Sequence, residues 1–360
     1  MKISYLLSTA LCAVSAAIAT PADACTGITL TAKDGSRVLA RTIEWGGSIL
    51  KSEYIIVPRG YVQQSFTPTG TDGLKFTAKY GYVGLSTELK EFVVEGLNEA
   101  GLSAGLFYFP GYGEYEKYDQ SKKASTLADL QLVSWILASF GSVEEVAAAL
   151  PTVHITGIHP DASTAHWRVG DTSGRQIVIE ITDGVPHIYE NTLGVLTNSP
   201  GFEWHLTNLN NYVNLYPGGA APKNMNGVNV AAFGAGSGFL GIPGDVTPPS
   251  RFIRAAFYQT TAPQYATGRE TVLQSFHILN NFDIPIGIEH AADEIPEGLP
   301  SATQWTTATD ITARTIYYRT AWNGTLRGID LKSIDFTKTK YQAHPLDERA
   351  EEPIQMLKIR

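Results

Sequence analysis

The stretch "CTGITLTAKDGSRVLARTIEW", Cys25 to Trp45, decides how this chain folds, because it begins on a cysteine and has the pattern of a β-hairpin. Two runs rich in β-branched and aliphatic residues flank Asp34-Gly35, a dipeptide that is typical of a tight hairpin turn. The sequence therefore predicts that Cys25 lies at the start of a strand with a second strand directly beside it.

The register of this hairpin decides which charged side chains reach Cys25. A two-residue turn would pair Arg41 with Ile28 and point its side chain to the face opposite Cys25. One further loop residue would pair Arg41 with Thr29 and place it on the face of Cys25, because side chains alternate along a strand. A regular ladder cannot bring both Arg41 and Glu44 to the thiol. We expect either a bulge between them or only one of them in contact with it.

The residues before Cys25 have the composition of an export signal. Lys2 is followed by the apolar run "ISYLLSTALCAVSAAIA" and then by "ADA", residues 22–24, which fits the small-x-small pattern cut by signal peptidase. We expect residues 1–24 to be a secretory signal peptide that is removed, which predicts a periplasmic or secreted protein. A lipid-modified cysteine is the alternative, but Ala22 and Asp23 fit the lipoprotein pattern poorly.

Removal of that segment would leave a single cysteine, because Cys12 lies inside it. A leftover cysteine in an exported protein is an intermolecular bridge, a buried inert residue or a reactive group. At the start of a chain, Cys25 would carry a free α-amine with a pKa of about 7.7–8.0, so part of it is neutral at pH 7. That amine can accept the thiol proton and return it to a leaving nitrogen, which amide hydrolysis requires.

Composition excludes several classes of function. The chain has 360 residues, of which 43% are hydrophobic and 17% charged, as in a soluble globular protein. The net charge of -8 argues against a nucleic-acid partner, since phosphates require a basic face. Beyond the N-terminal segment, the sequence has no run approaching the ~20 apolar residues of a membrane span.

Neither a cofactor nor a metal is expected. The glycine-rich "GAGSGFLG", residues 234–241, lacks the preceding strand and following helix that give a nucleotide loop its function. The eight histidines form no i,i+4 pair on a predicted helix, and His154 and His159 lie in a loop flanked by Pro and Gly.

The order of predicted elements indicates an antiparallel α+β protein. Strand candidates come first, then helices from residue 126 onward, then strands again, and helices with strands at the end. We predict a capping box formed by Thr126 and Asp129, a second helix cap at Ser142, and a hairpin turn at Asn323-Gly324. Two stacked sheets between helical layers would bury this many strands, and we expect residues 25–360 to form one domain.

Four motifs carry a resemblance to a known family. "CTGITLTAKDGSRVLARTIEW" is followed by "GLNEAGLSAGLFYFP", "LGVLTNSPGFEWHLTNLNNY" and "GIPGDVTPPSRFIRAAF". Together and in this order they resemble the choloylglycine hydrolase family of conjugated bile acid hydrolases and penicillin V acylases. The resemblance implies the αββα sandwich of the N-terminal nucleophile hydrolases and hydrolysis of a linear carbon–nitrogen amide bond through an acyl-thioester.

The resemblance also assigns expected roles to individual residues. Cys25 matches the family's nucleophile, and Arg41 matches the arginine beside its thiol. Glu44 stands where the family usually has an aspartate that binds the α-amine. Asn198 matches the asparagine implicated in the oxyanion hole, and Arg251 matches a second active-site arginine.

Tyr108 bears on the substrate. Bile salt hydrolases commonly have asparagine at this position and penicillin V acylases commonly have tyrosine, so the resemblance favours penicillin V over a conjugated bile acid. N-acyl homoserine lactones are a third possibility. In each case the partner is a small amide with an apolar acyl part.

The segment "FEWHLTNLNNYVNLYPGGAAPKNMNG", residues 202–227, is difficult to place within one globule. In the resembled family the corresponding segment projects and helps to assemble a tetramer, which predicts a homotetramer; a solvated surface loop is the alternative. The rival to an enzyme is an exported, non-catalytic binding protein or lipoprotein whose Cys25 is structural or acylated.

Overall fold

The hairpin predicted from the opening stretch is present in the computed structural model, which describes residues 24–158 and 164–359. Of the predicted export segment, residues 1–24, all but Ala24 lie outside the described residues. Strand β1 (Cys25–Thr31) pairs antiparallel with β2 (Arg37–Glu44). The loop has three residues, 33–35, with Gly35 in the left-handed region at φ 87°. Glycine adopts that conformation without the steric cost that a side chain would add.

The observed register differs from both of the registers that the sequence suggested. The loop does contain one more residue than a two-residue turn, but that residue is Lys33, so Arg41 pairs with Gly27 and Cys25 with Ile43. Residues 25, 27, 41 and 43 therefore share one face of the hairpin. Of the two expected alternatives, the bulge between Arg41 and Glu44 is not present in the β1–β2 pairing, and the register shift lies in the neighbouring strand, between Thr303 and Trp305. The other alternative, contact of only one of the two side chains with the thiol, is the one observed.

Seventeen further strands are described. They are β3 (Ser52–Val57), β4 (Val62–Gln64), β5 (Lys75–Thr77), β6 (Tyr82–Thr87), β7 (Val93–Asn98), β8 (Ser103–Tyr108), β9 (Thr126–Ala128), β10 (His154–Thr156), β11 (Ala165–Gly170), β12 (Gln176–Thr182), β13 (Val185–Glu190), β14 (Lys223–Met225), β15 (Val228–Val230), β16 (Thr303–Asp310), β17 (Thr315–Thr320), β18 (Asn323–Asp330) and β19 (Gln342–Pro345).

Two antiparallel sheets dominate. The first has five strands in the order β1-β2-β16-β17-β18, and the second has eight in the order β13-β12-β11-β8-β7-β6-β3-β19. Thr320 pairs with Asn323, so the last hairpin turns at residues 321–322 and Asn323 begins β18. The predicted turn at Asn323-Gly324 is therefore wrong.

Helices cover the outer faces of both sheets. They are α1 (Leu132–Ser139), α2 (Val143–Ala149), α3 (Phe202–Asn208), α4 (Pro248–Thr261) and α5 (Gly268–Leu279). Helix α1 packs on β7 and β8, whereas α4 packs on β1 and α5 on β1, β2 and β16. This arrangement confirms the predicted α+β sandwich of two stacked sheets between helical layers.

One of the two predicted helix caps is present in the structure. Ser142 accepts a hydrogen bond from the backbone N–H of Glu145 at 3.2 Å, as predicted. The capping box at Thr126 is wrong, because residues 126–128 pair in parallel with β10 and α1 begins later. Short local signals are overridden there by strand pairing with a distant segment. Among the described residues, no helix is both long and apolar enough to cross a bilayer.

The fold places Cys25 where three layers meet. Strand β1 is the edge of the five-stranded sheet, and its outer side pairs with Leu196 through a two-way backbone bridge to Gly27. One face of β1 packs toward the eight-stranded sheet, where Phe107 is fully buried, and the other packs against α4. Groups can therefore approach Cys25 from the sheet interior, from the helix layer and from the edge.

Candidate active site

Arg41 approaches the thiol from the face between the two sheets. Its Nη2 donates to Cys25 Sγ at 2.7 Å, while its Nε and Nη1 donate to the backbone carbonyls of Thr42, Val94 and Leu106. The guanidinium also lies 4.0 Å from the ring centroid of Phe107. Since Arg41 is fully buried, these contacts hold a positive charge against the sulfur in a water-poor setting.

Opposing effects act on the ionisation of Cys25. Burial raises the pKa of the thiol, and the carboxylate of Glu44 raises it further. The charges of Arg41 and Arg251 lower the same pKa, and so does a hydrogen bond from the backbone N–H of Tyr108. A thiolate here depends on these positive groups, because the thiol is only 5% exposed and little water reaches it.

Arg251 approaches from the helix layer, on the first turn of α4. Its Nη1 donates to the carbonyl of Cys25 and, at 2.8 Å, to Thr26 Oγ1. Its Nη2 donates to Asn198 Oδ1 at 2.8 Å, and its Nε donates to the carbonyl of Val246. Burial lowers the pKa of this guanidinium. Arg251 thus holds the backbone of Cys25 rather than its sulfur.

Asn198 joins these groups at the sheet edge. Its Oδ1 accepts from the backbone N–H of Cys25 at 2.7 Å, and its Nδ2 donates to the carbonyl of Tyr108 at 2.7 Å. An amide nitrogen has two hydrogens, so a second donor is available to a ligand. Together with the backbone N–H of Tyr108 beside the sulfur, it forms a candidate donor pair for an oxyanion.

Two buried histidines hold the segment that carries Asn198, and the sequence analysis missed them. His205 Nε2 lies 2.9 Å from the carbonyl of Asn198, and burial lowers its pKa to about 4. His166 bridges Glu180 Oε1, at 3.0 Å, and the carbonyl of Thr197, at 3.1 Å. A neutral imidazole at position 205 donates to the Asn198 carbonyl and orients the residue. The sequence offered no signal for this, because lone histidines are most often core residues.

Glu44 lies on the other face of β2 from Arg41. Its backbone N–H donates to the carbonyl of Ala24 at 2.8 Å, and its Oε1 accepts from Thr303 Oγ1 at 3.3 Å. Its Oε2 is buried without a hydrogen-bond partner among the described residues. Burial raises the pKa of this carboxyl to about 8, against the lowering effect of Arg251. Of the two expected neighbours of the thiol, only Arg41 contacts the sulfur.

Glu289 is a second carboxyl near this face that the sequence analysis did not single out. Its loop is tied down by His290 Nε2, 2.8 Å from the carbonyl of Gly46. Within the described parts of the chain, both carboxylate oxygens are buried and unpaired. Burial raises the pKa of Glu289 to about 7, opposed by Arg251. Ala24 packs nearby on Ile284 and Ala302, so this face has acidic groups and an apolar wall.

The structure therefore brings the six predicted positions into one constellation, although in different ways. Arg41 contacts the sulfur, Asn198 and Arg251 hold the backbone of Cys25, and Tyr108 contributes its backbone groups. Glu44 contributes a backbone hydrogen bond to Ala24. In the described ranges, no cluster of three His, Cys, Asp or Glu side chains could hold a metal ion.

A buried cysteine thiol at the start of an edge strand, flanked by arginines between two antiparallel sheets, has the arrangement of the N-terminal nucleophile hydrolases. The sequence model of the linear amide C–N hydrolases, choloylglycine hydrolase family, matches residues 25–343. The chain belongs to this family of amide hydrolases.

Two relatives and one solved structure agree with this family assignment. The bile salt hydrolase/transferase of Clostridium perfringens is 33% identical over 315 residues, covering 85% of this chain and 92% of the relative. The penicillin V acylase of Pectobacterium atrosepticum is 25% identical, with coverage of 86% and 81%. The solved structure of a mutant conjugated bile acid hydrolase from C. perfringens superimposes with a TM-score of 0.80 at 30% identity, covering 93% of this chain and 100% of the other.

Proposed function

We propose that this protein is an exported amidase in which loss of residues 1–24 makes Cys25 both the first residue and the nucleophile. The observation that carries the proposal is the 2.7 Å contact from buried Arg41 to Cys25 Sγ, with Asn198 bonded to the backbone N–H of the same residue. The substrate is a linear amide with an apolar acyl part, and the signal-like sequence before Cys25 supports a periplasmic or secreted location.

The proposed reaction uses one residue as nucleophile and base. The α-amine of Cys25 accepts the thiol proton as Sγ attacks the amide carbon. The oxyanion is stabilised by Asn198 Nδ2 and the backbone N–H of Tyr108. Collapse breaks the C–N bond, and the proton passes from the ammonium to the leaving nitrogen. Water, deprotonated by the same amine, then hydrolyses the thioester, releasing the acid and restoring the thiol.

Two carboxylates support binding of the α-ammonium state. Glu44 and Glu289 have buried oxygens without hydrogen-bond partners in the described residues, on the side of β1 where Ala24 packs. Buried unpaired carboxyl groups are costly, and an ammonium group nearby would offset that cost. The resemblance assigns α-amine binding to the position of Glu44, where the family usually has an aspartate.

Two substrate classes compete. Tyr108 favours penicillin V, and we take this as the first substrate to test. The higher identity to the bile salt hydrolase of C. perfringens, 33% against 25% for the penicillin V acylase of P. atrosepticum, supports conjugated bile acids as the second. Tyr108 is half-buried and its backbone groups belong to the site, which supports a role for this position in substrate choice.

Intact-mass measurement and turnover test the proposal together. We expect the purified exported protein to begin at unmodified Cys25, and we expect Cys25→Ala to fold normally and to lose all hydrolysis of penicillin V and of glycine- or taurine-conjugated bile acids. Cys25→Ser should retain little activity, because a hydroxyl ionises far less readily than a thiol. A diacylglyceryl mass increment at Cys25, or turnover by Cys25→Ala, would contradict the proposal. Faster cleavage of bile salts would overturn the order of the two substrates.

We also propose that residues 202–227, together with the exposed chain that follows to residue 241, mediate assembly into a homotetramer. This segment continues from α3 through the small hairpin β14–β15 and exposes apolar side chains, among them Val213, Met225, Val228, Phe233 and Leu240. Exposed apolar clusters of this kind mark interaction surfaces. Light scattering should give a tetramer mass for the native protein and a smaller species for Phe233→Ser/Leu240→Ser. A monomer at all micromolar concentrations of the native protein would refute assembly.

A further inference from the structure

A group of three buried charged residues lies between the two sheets behind the thiol. It consists of Arg41 on β2, Glu95 on β7 and Arg168 on β11, and none is more than 1% exposed. The guanidinium of Arg41 joins this cluster to the site: its Nη2 contacts Cys25 Sγ at 2.7 Å, and its Nη1 lies 3.7 Å from Glu95 Oε2. Through Arg41, the cluster is in direct contact with the sulfur of Cys25.

The packing around the cluster leaves space for these charges only because glycines face them. A Cβ at Gly27 would lie 2.8 Å from Arg168 Nη1, and a Cβ at Gly105 would overlap the Glu95 carboxylate. The Phe107 ring lies beside both guanidinium groups, with centroid distances of 4.0 Å to Arg41 and 5.5 Å to Arg168. The chain thus accommodates the charges at the centre of its core.

These charges are poorly explained as stabilising elements of the fold. Both carboxylate oxygens of Glu95, and Nη2 of Arg168, have no hydrogen-bond partner in the part of the chain that the structure describes. Arg168 Nη1 donates to the carbonyls of Ile28 and Ala40. Buried ion pairs are often less stabilising than well-packed apolar residues, because desolvation is costly. A role at the neighbouring sulfur explains why they are there.

The net charge of the cluster indicates how it would act on the sulfur. Two guanidinium groups and one carboxylate carry a net charge of +1, which matches one thiolate. Burial lowers the pKa of Arg168 to about 10, so it remains charged at neutral pH. Burial raises the pKa of Glu95, and the charges of Arg168 and Arg41 oppose that rise.

We propose that the charges of Glu95 and Arg168, together with that of Arg41, set the ionisation of the Cys25 thiol. Glu95 limits the positive potential at the sulfur, and Arg168 restores it. This inference rests on the proposed function, in which the thiolate of Cys25 is the nucleophile. The other charged groups that face the thiol are Arg251 and Glu44 on the helix side and the α-amine of Cys25 itself, with Glu289 beyond Arg251; the variants below leave them unchanged.

The experiment measures the pH dependence of Cys25 alkylation by iodoacetamide, followed by peptide mass analysis. Glu95→Gln raises the cluster charge to +2, and we expect the thiol pKa to fall by about one unit, the low end of shifts caused by a nearby charge. Arg168→Met lowers the cluster charge to zero and should raise the thiol pKa by about the same amount. The double variant restores +1 and should return close to the native value.

Arg168→Lys is the matched control, since it keeps the charge and removes the planar guanidinium, and it should titrate like the native protein. Equal thiol pKa values in all folded variants would show that the cluster is only structural. An upward shift in Glu95→Gln would show that the carboxylate acts by anchoring Arg41, and would also overturn charge balance. If Glu95→Gln does not fold, comparison of the thiol pKa of Arg168→Met with that of Arg168→Lys still tests the proposal.

Alkylation requires no turnover, which separates this proposal from the proposed function. Hydrolysis by Cys25→Ala would refute the nucleophile without affecting the titrations. Unchanged titrations in a protein that needs Cys25 for hydrolysis would refute only the role of Glu95 and Arg168.

Discussion

The two faces of the hairpin at Cys25 are built differently. On the face between the sheets, Arg41 is satisfied by three backbone carbonyls, the thiol and an aromatic ring. On the helix face, Arg251 lies near Glu44 and Glu289, whose carboxyl groups retain buried oxygens without partners in the described ranges. On the first face the carboxyl of Glu95 lies beside the guanidinium groups of Arg41 and Arg168, whereas the two carboxyl groups of the second face have capacity to bind a further cation.

This difference indicates a division of roles. The inter-sheet face acts on the sulfur, because Arg41 contacts Sγ directly. The helix face and the sheet edge act on the backbone of Cys25, through Arg251 at the carbonyl and Asn198 at the N–H. Changes at the sheet edge should therefore alter catalysis, changes on the inter-sheet face should alter the packing around Arg41, and changes on the helix face should alter pH-dependent stability.

The largest effect is expected from Asn198→Ala at the sheet edge. The substitution removes the acceptor for Cys25 N–H and the proposed oxyanion donor, so kcat should fall by about 10²–10³, as for loss of one such donor. Steady-state kinetics on the better substrate measure this, and KM should change little. Asn210→Ala, in an exposed stretch after α3, is the matched control and should be active. A tenfold or smaller loss in Asn198→Ala would argue against the oxyanion role.

Gly27→Ala is expected to have an intermediate effect by disturbing the inter-sheet face. The added Cβ would lie 2.8 Å from Arg168 Nη1 and 2.9 Å from Phe107 Cζ, and overpacking a core costs roughly 1–3 kcal/mol of unfolding free energy. Urea unfolding measures the loss. Gly244→Ala is the control, because nothing lies within 4 Å of its Cβ position. Equal stability of the two variants would show that the sheets separate easily at Gly27.

Glu289→Gln is expected to have the smallest effect, confined to pH dependence on the helix face. The folded pKa of Glu289 is about 7, above the ordinary 4.5. The folded state therefore holds this proton more tightly than the unfolded state, and its contribution to stability is lost as pH rises from about 4.5 through 7. Melting temperatures should show native protein losing stability relative to Glu289→Gln across that window.

Glu297→Gln, an exposed carboxyl farther along the same loop, is the control. It should follow the native pH curve. If the melting temperature of Glu289→Gln also follows the native pH curve, the carboxyl of Glu289 is solvated rather than buried without partners.

Local sequence patterns predicted most of the helices and strands, but they did not predict details that depend on strand pairing. The order of strands and helices, with helices and then strands in the last part of the chain, was predicted from periodicity and turns. Thr126 was expected to cap a helix and instead pairs in a short parallel strand. Asn323 was expected in a turn and instead begins β18. Strand pairing decided both outcomes, with β10 for residues 126–128 and with Thr320 of the preceding strand for Asn323.

The candidate site shows the same limit. The six expected residues came from motifs, but the contacts of Glu44 and the presence of Glu95, Arg168, His205 and Glu289 near the site could not be predicted. Buried charged or histidine side chains gain meaning only from their neighbours, and those neighbours belong to other strands and loops.

By itself, the sequence determined the opening hairpin, the two-sheet sandwich and the family, because alternation, turn residues and four ordered motifs are local properties. Tertiary structure decided what surrounds Cys25. The extra loop residue Lys33 set the register that turns Arg41 toward the sulfur. Asn198 and Arg251 reach Cys25 across 173 and 226 residues of chain. Such contacts depend on how layers pack in three dimensions, which no local pattern encodes.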